Sequence, residues 1–237
     1  MRFPTPLIPA TLIRRYKRLL ADVLLEDGRE VTAHCPNPGA MLGLAEPGMR
    51  VWLETNNDPK RKLNYGWRLV ELPGGNFATV DTGVANRIVQ EALTAHAIPH
   101  LEVYQTVRSE VRYGDNSRCD FLLSEPGLPD CWVEVKSVTL RRQGDWGEFP
   151  DCVTKRGAKH LGDLATRVGI GDRAVMLYVM QRTDCARFRL AEDLDPGYSA
   201  AFRAAQDAGV EAIAVGTEID PEGVTLGSGL TLAPELA

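Results

Sequence analysis

Hydrophobic and polar positions alternate with a strand-like period over the first third of the chain and shift to a three-to-four-residue period further on. The early alternation predicts strands at residues 16–25, 29–34, 50–54, 67–72 and 76–80. Asp27-Gly28 and Gly74-Gly75 supply turn chemistry between them. The segment 39–44, between the second and third strands, predicts a short helix. Five strands in about 80 residues match a small barrel such as the OB-fold, a common carrier of single strands or duplex ends.

From Asn86 the pattern is helical. Asn86 reads as an N-cap, Ile88, Val89, Ala92, Leu93 and His96 share one stripe, and Pro99 stops the helix. Strands are predicted at 103–113, 118–124 and 130–138. Thr154 then caps a helix with Leu161, Leu164, Ala165 and Val168 on its buried face, ending at Gly169. A fully apolar strand at 174–180, a helix carrying Tyr198, Ala201, Phe202 and Ala205, and a strand at 210–215 complete the order. This succession implies a mixed sheet flanked by helices, an α/β (α+β) domain spanning 84–237 behind a barrel domain spanning 1–83.

The chemistry concentrates in the second part. Asp120 opens the apolar run Phe121-Leu122-Leu123, and a turn with two prolines and a glycine leads into Cys131-Trp132-Val133-Glu134-Val135-Lys136-Ser137-Val138. Alternation puts Trp132, Glu134, Lys136 and Val138 on one face of that strand, and Val133, Val135 and Ser137 on the other. Two charged side chains within so apolar a strand need partners. A salt bridge between Lys136 and one acid would meet that need, and so would a divalent cation held by Asp120 and Glu134. Two converging carboxylates and a lysine are the minimum set for cutting a phosphodiester with a metal-activated water.

Composition narrows the reading. With 44% hydrophobic and 25% charged residues in 237, the chain has an ordinary globular profile. It has no long apolar run, which predicts neither a membrane partner nor a signal peptide, and five scattered cysteines suit a cytoplasmic setting. The net charge of −5 is concentrated in the tail, since residues 186–237 hold three basic and nine acidic side chains. Basic clusters remain at Arg14-Arg15-Tyr16-Lys17-Arg18, Lys60-Arg61-Lys62, Arg141-Arg142 and Lys155-Arg156 with Lys159, and these could track phosphates. His34-Cys35 lacks a second Cys/His pair at zinc spacing. Tyr16, Trp52, Tyr65, Trp67 and Phe77 offer either core or stacking surface to the barrel.

The segments Tyr16-Lys17-Arg18, His34-Cys35-Pro36-Asn37, Ser109-Glu110-Val111, the strand 131–138 with Thr139-Leu140, Phe149-Pro150-Asp151 and Arg156-Gly157-Ala158-Lys159-His160-Leu161 resemble the sugar fermentation stimulation protein A family. The resemblance runs in unbroken order from about Leu12 onward. It implies an OB-like domain followed by a PD-(D/E)XK nuclease-like domain, DNA as partner, and a link to sugar catabolism that includes maltose use. Pro38 stands where the family usually has threonine, and Lys155 where it has an acid.

Carried onto this chain, the motif falls on Asp120, Glu134 and Lys136 as catalytic residues. Asp120, Glu134, the Val135 carbonyl and Glu91 are then the expected ligands of Mg²⁺ or Mn²⁺. Arg15, Lys17, Arg18, Lys60, Arg61, Lys62, Arg156, Lys159 and His160 are the expected DNA contacts. Nucleases of this kind often pair to cut both strands, so a homodimer is the matching expectation. Two functions compete: a metal-dependent nuclease, and a non-catalytic DNA-binding regulator of sugar catabolism genes on a nuclease scaffold.

Overall fold

The computed structural model describes residues 1–113 and 117–236. The first six strands are β1 (Ile8–Tyr16), β2 (Leu20–Leu25), β3 (Glu30–His34), β4 (Arg50–Thr55), β5 (Tyr65–Leu72) and β6 (Asn76–Thr79). They run in the order β3-β2-β1-β4-β5-β6, and a parallel bridge from His34 to Gly66 joins β3 to β5. That bridge closes a five-stranded barrel, with β6 as an added edge, around Leu12, Val23, Leu53 and Trp67. The OB-like expectation is met.

Two local expectations are corrected. Residues 16–25 are not one strand: Tyr16 ends β1, and Lys17 and Arg18 turn the chain with φ of 48° and 62° before β2 begins. Pro9 also lies within β1, opposite Trp52, where its ring masked the strand in the sequence. Residues 39–44 form turns rather than a helix. The Asp151 carboxylate holds the Ala40 amide at 3.0 Å, and Arg15 donates to the carbonyls of Asn37 at 2.7 Å and Gly39 at 2.9 Å, so this loop takes its shape from side chains distant in sequence.

Helix α1 (Gly83–Thr94) leads into β7 (Thr106–Tyr113), β8 (Ser117–Ser124), β9 (Cys131–Val138) and β10 (Trp146–Phe149). Next come α2 (Lys155–Gly169), β11 (Arg173–Met180), β12 (Arg187–Leu190), α3 (Pro196–Asp207), β13 (Glu211–Asp220), β14 (Gly223–Gly229) and β15 (Thr231–Leu232). The main sheet has the order β14-β13-β11-β9-β8-β7, parallel across β9, β11 and β13 and antiparallel at both edges. Strands β10, β12 and β15 form a small parallel sheet.

One face of the main sheet packs Ile88, Val89 and Leu93 of α1 on Val133, Val135 and Leu177. The other packs Leu161 and Leu164 of α2 and Phe202 of α3 on Trp132, Met176 and Tyr178. The predicted alternation of β9 is therefore realised, with apolar residues facing helices on both sides. The barrel docks through β6, whose Phe77 and Thr79 exchange backbone hydrogen bonds with Thr183 and Gln181. No helix among the described residues is long and apolar enough to cross a membrane.

Candidate functional site

Strands β8 and β9 stay paired only from Leu123↔Cys131 to Phe121↔Val133 and then part. Asp120 stands at the fork. Its Oδ2 accepts from the Val135 amide at 2.7 Å, where another strand would have continued the ladder, and its Oδ1 accepts from Asn86 of α1 at 2.7 Å. A residue's N–H and C=O point the same way along a strand, so the Val135 carbonyl also opens toward Asp120. Asn86 is therefore no N-cap: Thr82 occupies that position, and the Asn86 amide holds a candidate catalytic acid.

Glu134 lies on the opposite pleat, 3% exposed. Its Oε1 contacts both Lys136 Nζ, at 2.7 Å, and His160 Nδ1 of α2, while its Oε2 is buried without a hydrogen-bond partner. Lys136 Nζ is also 3.3 Å from His160 Nδ1. The two carboxylates are pushed in opposite directions. Burial and, next, the nearby Glu134 charge raise Asp120 above its ordinary value despite the Val135 and Asn86 hydrogen bonds. Burial would raise Glu134 too, but His160 and Lys136 overcome it and hold that carboxyl low. Two neighbouring acids driven apart in this way are a pattern of acid–base sites.

The orphan Oε2, the strained charge on Asp120 and the open carbonyl suit a hard divalent cation, whose preferred donors are oxygens. Among the described residues, no three His, Cys, Asp or Glu side chains converge as a ready metal cage. The donors such an ion could use are two carboxylates and a main-chain oxygen, a set that would leave coordination positions for water.

A cleft of about 380 Å³ adjoins Asp120 and is lined by Asn86, Arg87, Glu91, Ser109, Glu110 and Phe121, among others. Glu91 thus reaches the site region, although its carboxylate is exposed and bonded to the Met1 amine at 2.7 Å. Glu110 was not a predicted site residue. It has φ of 55° in the middle of β7 and stands level with Asp120, where the ladder skips from Ser109↔Phe121 to Val111↔Cys119. Only its backbone marks it, and a left-handed glutamate leaves no sequence signature.

The expected DNA contacts divide. Arg15 is half-buried and donates to loop carbonyls, and His160 is buried against Glu134, so the fold turns both inward rather than leaving them on an open surface. Lys159 is bonded to Ser117 and lies 3.3 Å from Asp163. Lys17, Arg18, Lys60, Arg61, Lys62 and Arg156 are exposed. Arg61 and Lys62 line a second groove of about 830 Å³ with His34, Tyr65 and Arg68, and it shares Arg87 with the Asp120 cleft. Tyr65 is the one predicted aromatic in that lining, whereas Trp67 is core.

Fold and site define a class: a closed OB barrel joined to a helix-flanked mixed sheet that carries Asp120 and a Glu-x-Lys strand at its fork. The family model for the SfsA N-terminal OB domain matches residues 13–80, and that for the sugar fermentation stimulation protein RE domain matches residues 83–223. The chain belongs to the sugar fermentation stimulation protein family. It is 64% identical to the sugar fermentation stimulation protein homolog of Jannaschia sp. (strain CCS1), across 99% of this chain and 98% of the relative. The homolog of Dinoroseobacter shibae is 63% identical, across 99% and 96%. Among solved structures, Pyrococcus furiosus SfsA in complex with Ca²⁺ superimposes with a TM-score of 0.87 at 26% identity, covering 98% of each chain.

Proposed function

We propose that this protein binds DNA and hydrolyses its phosphodiester bonds at a cation-dependent site made by Asp120, Glu134 and the Val135 carbonyl. The observation that carries this reading is the half-satisfied carboxylate pair: Glu134 Oε2 is buried with no partner, while burial and, next, the Glu134 charge raise the pKa of Asp120. A buried carboxylate oxygen without a hydrogen-bond partner is costly, and a divalent cation would supply one. The Ca²⁺ reported with the Pyrococcus relative supports cation binding here. Mg²⁺ or Mn²⁺ is the expected working ion, because each suits carboxylate and carbonyl oxygens.

When bound, such a cation acidifies its water and polarises the phosphoryl group. The chain's own residues would do the rest. Asn86 and the Val135 amide fix the Asp120 carboxylate. Lys136, tethered to Glu134, places an ammonium where it can steady charge developing on phosphate. His160 contacts the same Oε1 and, with Lys136, keeps Glu134 ionised against burial.

The second reading, a DNA binder that no longer turns over, draws on one observation: Lys136 and Glu134 already neutralise each other at 2.7 Å. Labelled single- and double-stranded DNA incubated with Mg²⁺, Mn²⁺ or EDTA, with wild type and Asp120→Ala, decides between them. Cation-dependent cutting that vanishes in the variant is the expected result. DNA that is shifted but never cut, with or without chelator, would overturn hydrolysis in favour of the binder.

A further inference from the structure

The β7–β8 hairpin changes face halfway along. Val107, Phe121 and Leu123 pack into the α1-side core, whereas Val111, Tyr113 and Cys119 pack into the α2-side core. The switch falls at Glu110 and Asp120. Beyond it, Arg112 lies between two residues that face α2, and Arg118 lies between Cys119 and Ser117, which bonds Asp163 of α2. Alternation therefore turns both arginines to the α1 side, the side on which Asp120 meets Asn86.

Arg112 and Arg118 are direct cross-strand partners. Both are exposed, and they stand two residues along their strands from Glu110 and Asp120, or about 7 Å. Like charges placed opposite each other destabilise a sheet. Among the described residues neither arginine closes an ion pair, whereas Arg142, Arg173, Arg182, Arg187 and Arg189 of the same domain each hold a carboxylate. The pair therefore presents two exposed cationic heads beside the cleft, and no carboxylate among the described residues closes on them.

We propose that Arg112 and Arg118 form a phosphate clamp that holds the backbone of a nucleic acid beside the Asp120 cleft. This rests on the reading of that cleft as the place where a phosphodiester is presented. The occupant is fixed by charge and position: two adjacent guanidiniums match a phosphodiester in bidentate fashion, and the neighbouring phosphate along the strand reaches the fork. Arg108, which alternation from Val107 turns to the opposite face, serves as the control.

The test measures affinity of the full chain for a labelled DNA duplex in EDTA, across a salt series, for wild type, R112E, R118E and R108E. R112E and R118E should each bind at least tenfold more weakly at low salt and flatten the salt dependence by about one unit of slope. R108E should bind within about threefold of wild type. Each reversal on the pair converts repulsion into attraction, so melting temperatures should hold or rise, which separates lost binding from lost folding. Wild-type affinity in R112E and R118E, or equal weakening in all three variants, would overturn the clamp. The outcomes also separate this surface from the hydrolysis reading: R112E that binds and cuts like wild type removes the clamp alone, whereas a wild type that never cuts but loses DNA on R112E removes hydrolysis alone.

Discussion

Two glutamates buried in the same domain meet opposite fates. Glu148 in β10 is 1% exposed, with Oε1 taking Arg142 at 3.0 Å and Arg189 at 2.9 Å and Oε2 taking Arg142 at 2.8 Å. Glu134 in β9 is equally buried, yet all its partners crowd on Oε1 and leave Oε2 bare. Both carboxyls are held below the ordinary glutamate value, against burial, by cationic or hydrogen-bonding neighbours. Ionisation alone does not distinguish them. The saturated carboxylate is a structural tie, whereas the half-saturated one keeps capacity for something the folded chain does not provide.

The sharpest break in this comparison comes from Glu148→Gln. It leaves Arg189 without a counter-charge and Arg142 with Asp193 alone, and weakening these charge-assisted hydrogen bonds costs about 1.5–3 kcal/mol. Urea melts should show that loss, while the fraction still folded keeps its cation response. A variant as stable as wild type would mean that the Glu148 network is not a tie.

Glu134→Gln should act the other way. Cation-dependent cleavage falls at least a hundredfold, about 2.7 kcal/mol of transition-state stabilisation. The loss of stability should be smaller than at Glu148, because the amide oxygen can still accept from Lys136. Equal cleavage by the two variants, normalised to folded protein, would erase the distinction between the glutamates.

Asp120 extends the contrast to pH. Its folded pKa is raised, so the native state binds that proton more tightly than the unfolded chain, and stability is lost as pH rises from the ordinary 3.8 toward the raised value. Glu134 and Glu148 run in the opposite sense: their contribution is present above the ordinary 4.5 and is lost as pH falls through their lowered values. Asp120→Asn should therefore stabilise the cation-free protein by about 1 kcal/mol at neutral pH, within the range of functional-site trade-offs, and by nothing near pH 3.8. Added Mg²⁺ should reverse the order by stabilising wild type alone. Melting curves across pH check both; an Asn variant less stable at every pH would show that Asp120 is a tie like Glu148.

The sequence displayed one half of this contrast better than the other. Alternation along β9 placed Glu134 and Lys136 on one face, because that depends on a period of two within one apolar strand, and the turn before it put Asp120 on the neighbouring strand, but the parting of the two strands was not legible. Glu148 could not be read the same way, since its arginines come from a loop and from β12, the latter 41 residues away. His160 looked like a surface base because helical spacing does not show that it dips onto Glu134. The strand β1 was hidden by Pro9 and by a turn built from Lys17 and Arg18 without glycine. For Glu148 and His160 a partner distant in sequence decided the outcome, whereas β1 was obscured by its own local residues.

Glu110 gives the smallest and most diagnostic effect. A left-handed backbone at a non-glycine residue costs about 1 kcal/mol or more and persists where the surroundings impose it. Here it lets β7 change face level with Asp120, so the strain serves the placement of that acid. Glu110→Gly removes a strain of about 1–3 kcal/mol and adds glycine's backbone-entropy cost of about 0.5–1 kcal/mol, so the fold should be stabilised by about 0.5 kcal/mol or more. The same change frees the kink that aims Asp120 and removes a carboxylate from the cleft, so cleavage should fall several-fold. Stability rising while activity falls would place Glu110 with Glu134 as a residue kept at a cost to folding; stability falling would place it with Glu148.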